Sequence, residues 1–144
     1  MTALPSLHVR LVAWEEAWET LMSIRTRVFV EEQGVPLEVE RDSWDPQCTH
    51  VLAQDSAGRA LGTGRLLPDG HIGRMAVLAS ERGRGVGSAL LLALMQLARE
   101  RGMTESRLHA QVGASAFYAR HGFVVTSDVY LEAGIEHVDM RARL

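Results

Sequence analysis

The hydrophobic pattern changes period along the chain, and each change marks an element. Leu7-His8-Val9-Arg10-Leu11-Val12 alternates as a strand does, and Trp14, Ala17, Trp18, Leu21, Ile24, Arg25 and Val28 then recur at helical spacing. Gly34-Val35-Pro36 should stop that helix, and the polar stretch to Gln47 reads as a long loop or a short helical turn. Apolar runs at 50–54 and 60–67 flank Asp55-Ser56-Ala57-Gly58-Arg59, a hairpin turn, and Pro68-Asp69-Gly70 returns the chain into a third run at 72–78. A helix is predicted from 87 to about 101 with Gly102 as its cap. Leu90, Leu91, Leu92, Leu94, Met95 and Leu97 make it apolar on most sides, so it must be largely buried. The pattern then predicts a strand at 108–112, a short helix at 114–121 closed by Gly122, and last strands at 123–126 and 136–143.

This order is strand, helix, three strands, helix, strand, helix, two strands. Consecutive hairpins make antiparallel neighbours, whereas a strand–helix–strand crossover makes a parallel pair. The expected class is α/β (α+β), a mixed, mainly antiparallel sheet with helices on both faces. At 144 residues and 47% hydrophobic content, one domain spanning 1–144 can bury its own core without staples. The net charge of −3 supplies no basic field, which argues against nucleic acid or an anionic membrane as the main partner and for a small molecule. Cys48 is the only cysteine, so neither an intramolecular disulfide nor a multi-cysteine zinc site can form, as suits a reducing cytoplasm. Residues 1–7 lack the charged and apolar regions of a secretory leader, and the apolar run 86–98 is too short to span a bilayer. A cytoplasmic protein is expected. No metal is expected either, because no H-E-x-x-H or similar ligand cluster occurs.

Candidate chemistry concentrates in Arg82-Gly83-Arg84-Gly85-Val86-Gly87-Ser88, between a strand and the buried helix. Alternating glycines let backbone N–H groups turn toward one point, and the helix start adds its unpaired N–H groups and dipole. An anion fits there. The dinucleotide fingerprint fails, since Leu90 stands where its third glycine would be, and the Gly-Lys pair of a Walker loop is absent. Read locally, the segment is as well explained by a tight strand-to-helix turn.

A wider pattern separates these readings. The element order with an Arg-x-x-Gly-x-Gly loop after the fourth strand, Arg82, Gly85 and Gly87 at its fixed positions, resembles the GCN5-related N-acetyltransferases (GNAT). Ala116-Phe117-Tyr118-Ala119-Arg120-His121-Gly122-Phe123 is similar to that family's F-Y-x-x-x-G-F segment. The likeness spans essentially the whole chain. It narrows to the ElaA-like branch through Arg27-Val28-Phe29-Val30-Glu31-Glu32-Gln33, the series Glu40, Asp42, Asp45 and His50, and the segment from Glu132 to Met140.

The resemblance implies an acetyl-CoA-dependent N-acetyltransferase with acetyl-CoA as cosubstrate and a small-molecule primary amine as acceptor, the acyl group passing directly without a covalent enzyme intermediate. The loop from Gly83 to Ser88, with Val86 inside it, would cradle the diphosphate, with Arg82 or Arg84 on phosphate oxygens. Backbone groups of Met75, Ala76 and Val77 would pair with the pantetheine arm. Tyr118 would protonate the departing thiolate: a phenol of pKa about 10 keeps its proton at neutral pH. Glu132 and His137 are the candidate bases, with Glu32, Gln33 and His50 expected near the acceptor. Each has a plainer reading, Tyr118 as a core aromatic, His137 as a structural histidine, the arginines as solvated surface. Cys48 is not needed as a nucleophile. The acidic stretch Glu31, Glu32, Glu38, Glu40, Asp42 and Asp45 either draws a cationic amine or is a solvated face, and Trp44 within it either walls the acceptor site or anchors the loop. An acyl-CoA-binding regulatory module without transfer and a protein or peptide amine acetyltransferase are the alternatives. Family members are often dimers, which leaves a homodimer open.

Overall fold

The computed structural model describes residues 7–144, so the expectation about a secretory leader falls almost wholly outside the described residues. β1 (His8–Val12), β2 (Thr49–Gln54), β3 (Ala60–Leu66) and β4 (His71–Val77) form an antiparallel meander. β5 (Glu105–Gln111) lies parallel to β4. Two short strands, β6 (Val124–Val125) and β7 (Tyr130–Glu132), follow; the long β8 (Ile135–Arg143) pairs antiparallel with β5 and with both of them. The sheet order is β1-β2-β3-β4-β5-β8-β6, mainly antiparallel with a single parallel step among the described strands.

Helices cover both faces, and β2 shows how the sequence arranges this. Its alternate residues divide: Val51 and Ala53 join the cluster of Leu90, Leu91 and Leu94 from α3 (Val86–Glu100), while Leu52 joins Leu21 and Ile24 from α1 (Trp14–Arg25). The three α3 leucines are 0% exposed, each contributing about 1.5–3 kcal/mol by leaving water. α3 can lie this close because β3 carries glycines beneath it. A Cβ on Gly62 would stand 2.8 Å from the Ala76 carbonyl oxygen and 3.0 Å from Leu90 Cδ1, and one on Gly64 2.9 Å from Leu94 Cδ1. Gly62→Ala is therefore expected to lower stability by about 1–3 kcal/mol, the usual cost of overpacking, measurable as a lower urea midpoint at unchanged m-value.

β4 contains one extra residue opposite β3: Thr63 faces Ala76 and Arg65 faces Gly73, with Arg74 in the left-handed region at φ 47°. The bulge reverses the parity of the strand. Ile72 points to the α3 side, whereas Ala76, four residues later, points to the α1 side, and Met75 and Val77 take the α3 side instead.

Other departures have local causes. α1 runs into a π-helical turn (Thr26–Glu32) before Gly34, at φ 75°, stops it. The polar stretch forms a short helix, α2 (Leu37–Glu40), and a 3-10 turn (Asp45–Gln47). β5 begins at Glu105 rather than 108, its buried face supplied by Ser106, Leu108 and Ala110; a small polar residue hid the alternation. α4 (Ser115–Ala119) is shorter than expected. β7 was not foreseen; it returns into β8 through Ala133 and Gly134, both at positive φ (51° and 76°), the geometry of a type I′ hairpin.

Candidate active site

Parallel β4 and β5 pair only at His71 with Arg107 and Ile72 with Leu108. Beyond these pairs the bulge turns β4 away, and a cavity of about 910 Å³ opens. Its walls come from the C-terminal half of β4, the 82–88 loop, α4, the π-helical turn and the β7–β8 hairpin. Met75, Ala76 and Val77 all line it.

The loop closes one end. Gly83 and Gly85 have φ of 78° and 82°, and a Cβ on either would meet nothing within 4 Å, so both face open space. Their conformation, not crowding, demands glycine. Among the described residues, no backbone acceptor takes the N–H groups from Gly83 to Ser88; the first helical bond runs from Ala89 N–H to the Gly85 oxygen. A row of free donors at a fifteen-residue helix start fits a diphosphate. Gly87 has a different reason, since a Cβ there would lie 3.4 Å from the Phe117 ring of α4. Ser88 Oγ is held 3.0 Å from His121 Nε2.

The two loop arginines differ. Arg82 lines the cavity and donates from Nη1 and Nη2 to the two carboxylate oxygens of Glu32 at 2.6 and 2.8 Å, with Nε donating to the Val77 oxygen at 3.0 Å. That hydrogen-bonded guanidinium holds the Glu32 carboxyl below the usual range. Arg84 points outward, 60% exposed and 3.4 Å from Glu81, and does not line the cavity.

Tyr118 projects from α4 into the cavity, its ring edge-on to Phe117 and Phe123. Burial alone pushes its phenol up to about 12, so the proton stays in place across the neutral range. Across the cavity, the β7–β8 hairpin brings Glu132 and His137 together, with Nε2 3.5 Å from a Glu132 oxygen. His137 Nδ1 lies 2.7 Å from the Ile135 carbonyl oxygen. A carbonyl only accepts, so Nδ1 carries the hydrogen and a neutral ring keeps Nε2 as its basic atom. Gln33, at the end of the π-helical turn, accepts from Gln111 Nε2 at 2.7 Å and bridges the first helical layer to β5 over the cavity.

Two residues expected beside the acceptor are not there. His50 is 1% exposed, packed against Trp14 at 5.0 Å, its Nε2 2.8 Å from the Asp45 backbone oxygen; burial pushes its pKa down, and it does not line the cavity. Glu32 is turned to Arg82 rather than into the cavity. The acidic stretch is neither an open negative field nor simply solvated. Arg25 donates to Glu40 at 2.6 Å and to Asp45 at 2.8 and 3.1 Å, and Arg65 to Asp45 at 2.7 Å and Asp42 at 2.5 Å. Trp44 is half exposed and outside the cavity. Sequence reasoning missed Arg74, His109 and Gln111, all cavity-lining. His109 and Gln111 share the face of β5 opposite the buried Leu108 and Ala110, and they reach the cavity because β4 parts from β5 beside them.

The profile of the acetyltransferase (GNAT) domain matches residues 16–144. The uncharacterised N-acetyltransferase YjcF of Bacillus subtilis is 37% identical over 130 residues, 88% of this chain and 92% of that protein. An acyl-CoA N-acyltransferase from Pseudomonas aeruginosa superposes with a TM-score of 0.83 at 33% identity, covering 95% of this chain and 99% of that one. ElaA of Escherichia coli superposes with a TM-score of 0.83 at 25% identity over the same shares. With a splayed parallel strand pair, a free-donor loop and near full-length relatives, the chain belongs to the GNAT family of acetyltransferases.

Proposed function

We propose that this chain is an acetyl-CoA-dependent N-acetyltransferase acting on the primary amine of a small molecule. The observation that supports this most is the cavity where β4 and β5 part, with free N–H donors at one end and a protonated phenol inside. The N–H groups of 83–88 hold the diphosphate, and Arg82 adds charge by exchanging Glu32 for phosphate oxygens. The N–H and C=O groups of 75–77 align the pantetheine amides as an added strand. Acetyl-CoA supplies the thioester. His137 Nε2, with Glu132 beside it, takes the ammonium proton directly or through water. The amine nitrogen bonds to the thioester carbon, the C–S bond breaks, Tyr118 gives its proton to the sulfur, and the tyrosinate is re-protonated by the second proton that the new amide nitrogen sheds, directly or through water. No covalent enzyme intermediate forms.

The test is release of free thiol from acetyl-CoA over a panel of amines: polyamines, amino sugars, amino acids and lysine peptides. Release with one class of small amine supports the proposal. Tight acetyl-CoA binding with no release for any amine would replace it by a binding module, and release confined to peptides would move the acceptor to proteins.

A further inference from the structure

Arg25, Arg65 and Arg74 meet Glu40, Asp42 and Asp45 in one cluster, of which Arg65, Arg74, Glu40 and Asp42 line the cavity. The three arginines are not equivalent. Arg25 and Arg65 are 1% and 5% exposed and make every short contact, between 2.5 and 2.8 Å, that these ion pairs contain. Arg74 is left with what remains: Nε stands 3.5 Å from Glu40, Nη2 3.7 Å from Asp42, and the one hydrogen bond it makes among the described residues, to the Glu40 backbone oxygen, is 3.4 Å long. Its buried Nε has no hydrogen-bond partner among the described residues, as is also true in this cluster of Arg65 Nε and Glu40 Oε2. Burial, then the neighbouring Arg65 and Arg25, pull its pKa below the ordinary arginine value, as befits a cation short of compensating hydrogen bonds.

Position makes this deficit informative. Arg74 is the bulge residue of β4, held at φ 47°, a conformation an arginine rarely adopts without surrounding structure that enforces it. It lines the cavity, its side chain 30% exposed. It immediately precedes 75–77, the segment proposed to carry the pantetheine arm, so under that reading its guanidinium stands beside the arm in the same cavity. The six-group cluster sums to zero charge and places Glu40 and Asp42 beside the part-exposed Arg74 guanidinium. A dianion would be repelled there, while a single planar carboxylate matches the guanidinium's paired donors.

We infer that Arg74 binds a carboxylate carried by the acceptor, so that the acceptor is an amino acid or a similarly zwitterionic small amine. This rests on the proposed acetyltransferase reading for the position of the amine, but its test does not require turnover. N-acetyl amino acids and their matched C-terminal amides, products and neutral isosteres, are titrated calorimetrically into the wild-type chain in the presence of CoA. The acids should bind roughly tenfold to hundredfold more tightly than the amides, the range for a lost charge-assisted hydrogen-bond pair. In Arg74→Gln that preference should collapse to within about twofold, and Arg74→Lys should restore part of it. Equal binding of acids and amides by the wild-type chain, or no binding of either, overturns the inference whether or not any variant folds. A preference that survives Arg74→Gln overturns it equally. Failure of thiol release with every amine would strike the acetyltransferase reading instead, and the two results are read separately.

Discussion

Replacing Asp45 by Asn should cost on the order of 3–5 kcal/mol, a large share of the ~5–15 kcal/mol that holds a domain of this kind together. Asp45 is 2% exposed and accepts from Arg25 at 2.8 and 3.1 Å and from Arg65 at 2.7 Å. Asparagine keeps the outline but removes the charge and turns an NH2 toward a guanidinium. Two arginines would then be buried with too few acceptors, and that uncompensated desolvation sets the magnitude. Arg59→Ala is the control, since its partners Asp55 and Glu81 bind a side chain 65% exposed, and exposed pairs are worth under about 1 kcal/mol. Urea unfolding of both variants decides the matter; equal losses would show that the buried cluster is no stronger than a surface pair. The same region adds acid sensitivity. Burial holds His50 below its ordinary pKa, so the unfolded chain takes up its proton first as the pH drops. The stability this contributes is complete above the unfolded value of about 6.5 and is lost as pH falls below it toward the depressed folded value.

That cluster also shows what a sequence conceals. Glu40, Asp42 and Asp45 read as a run of negative charge because their partners lie far off along the chain, Arg25 on α1 and Arg65 on β3. Local charge counting cannot see pairs separated by 15 to 23 residues. His50 was misplaced for a related reason: a polar residue at a strand start looks available until Trp14 and Asp45 close over it. The loop was more legible, because its features are backbone features: Gly83 and Gly85 take the left-handed turns that leave N–H groups free, and Gly87 leaves room for Phe117. The meander and buried α3 were likewise written in period and turn residues. The bulge at Arg74 was not, since nothing in Ile72-Gly73-Arg74-Met75 announces a change of parity; β3 imposes it through register. Arg74 and Gln111 escaped notice because the parity change in β4 and its parting from β5 decide what faces the cavity.

Under the proposed chemistry, Tyr118→Phe should lower kcat by about 10²–10⁴-fold, the range supplied by a positioned acid. The variant is a clean one. The ring's contacts with Phe117 and Phe123 survive, with centroids at 5.0 and 5.9 Å, and the hydroxyl lost is one that burial, not hydrogen bonding, governs. Stability should therefore change little. KM for acetyl-CoA should also hold, because in that proposal diphosphate and pantetheine would be held by 83–88 and 75–77, not by the phenol. A fall in kcat with constant KM removes an interaction made only as the C–S bond breaks; a rise in KM alone would make Tyr118 a binding residue. The pH profile adds a second reading. With the phenol pushed up to about 12, wild-type kcat should show no decline from tyrosine ionisation below about pH 11. An acid this weak still suffices, since burial of the kind that holds its proton also makes a departing thiolate more basic. Undiminished turnover in Tyr118→Phe would mean that the thiolate leaves without help and would pass the acid's role to solvent.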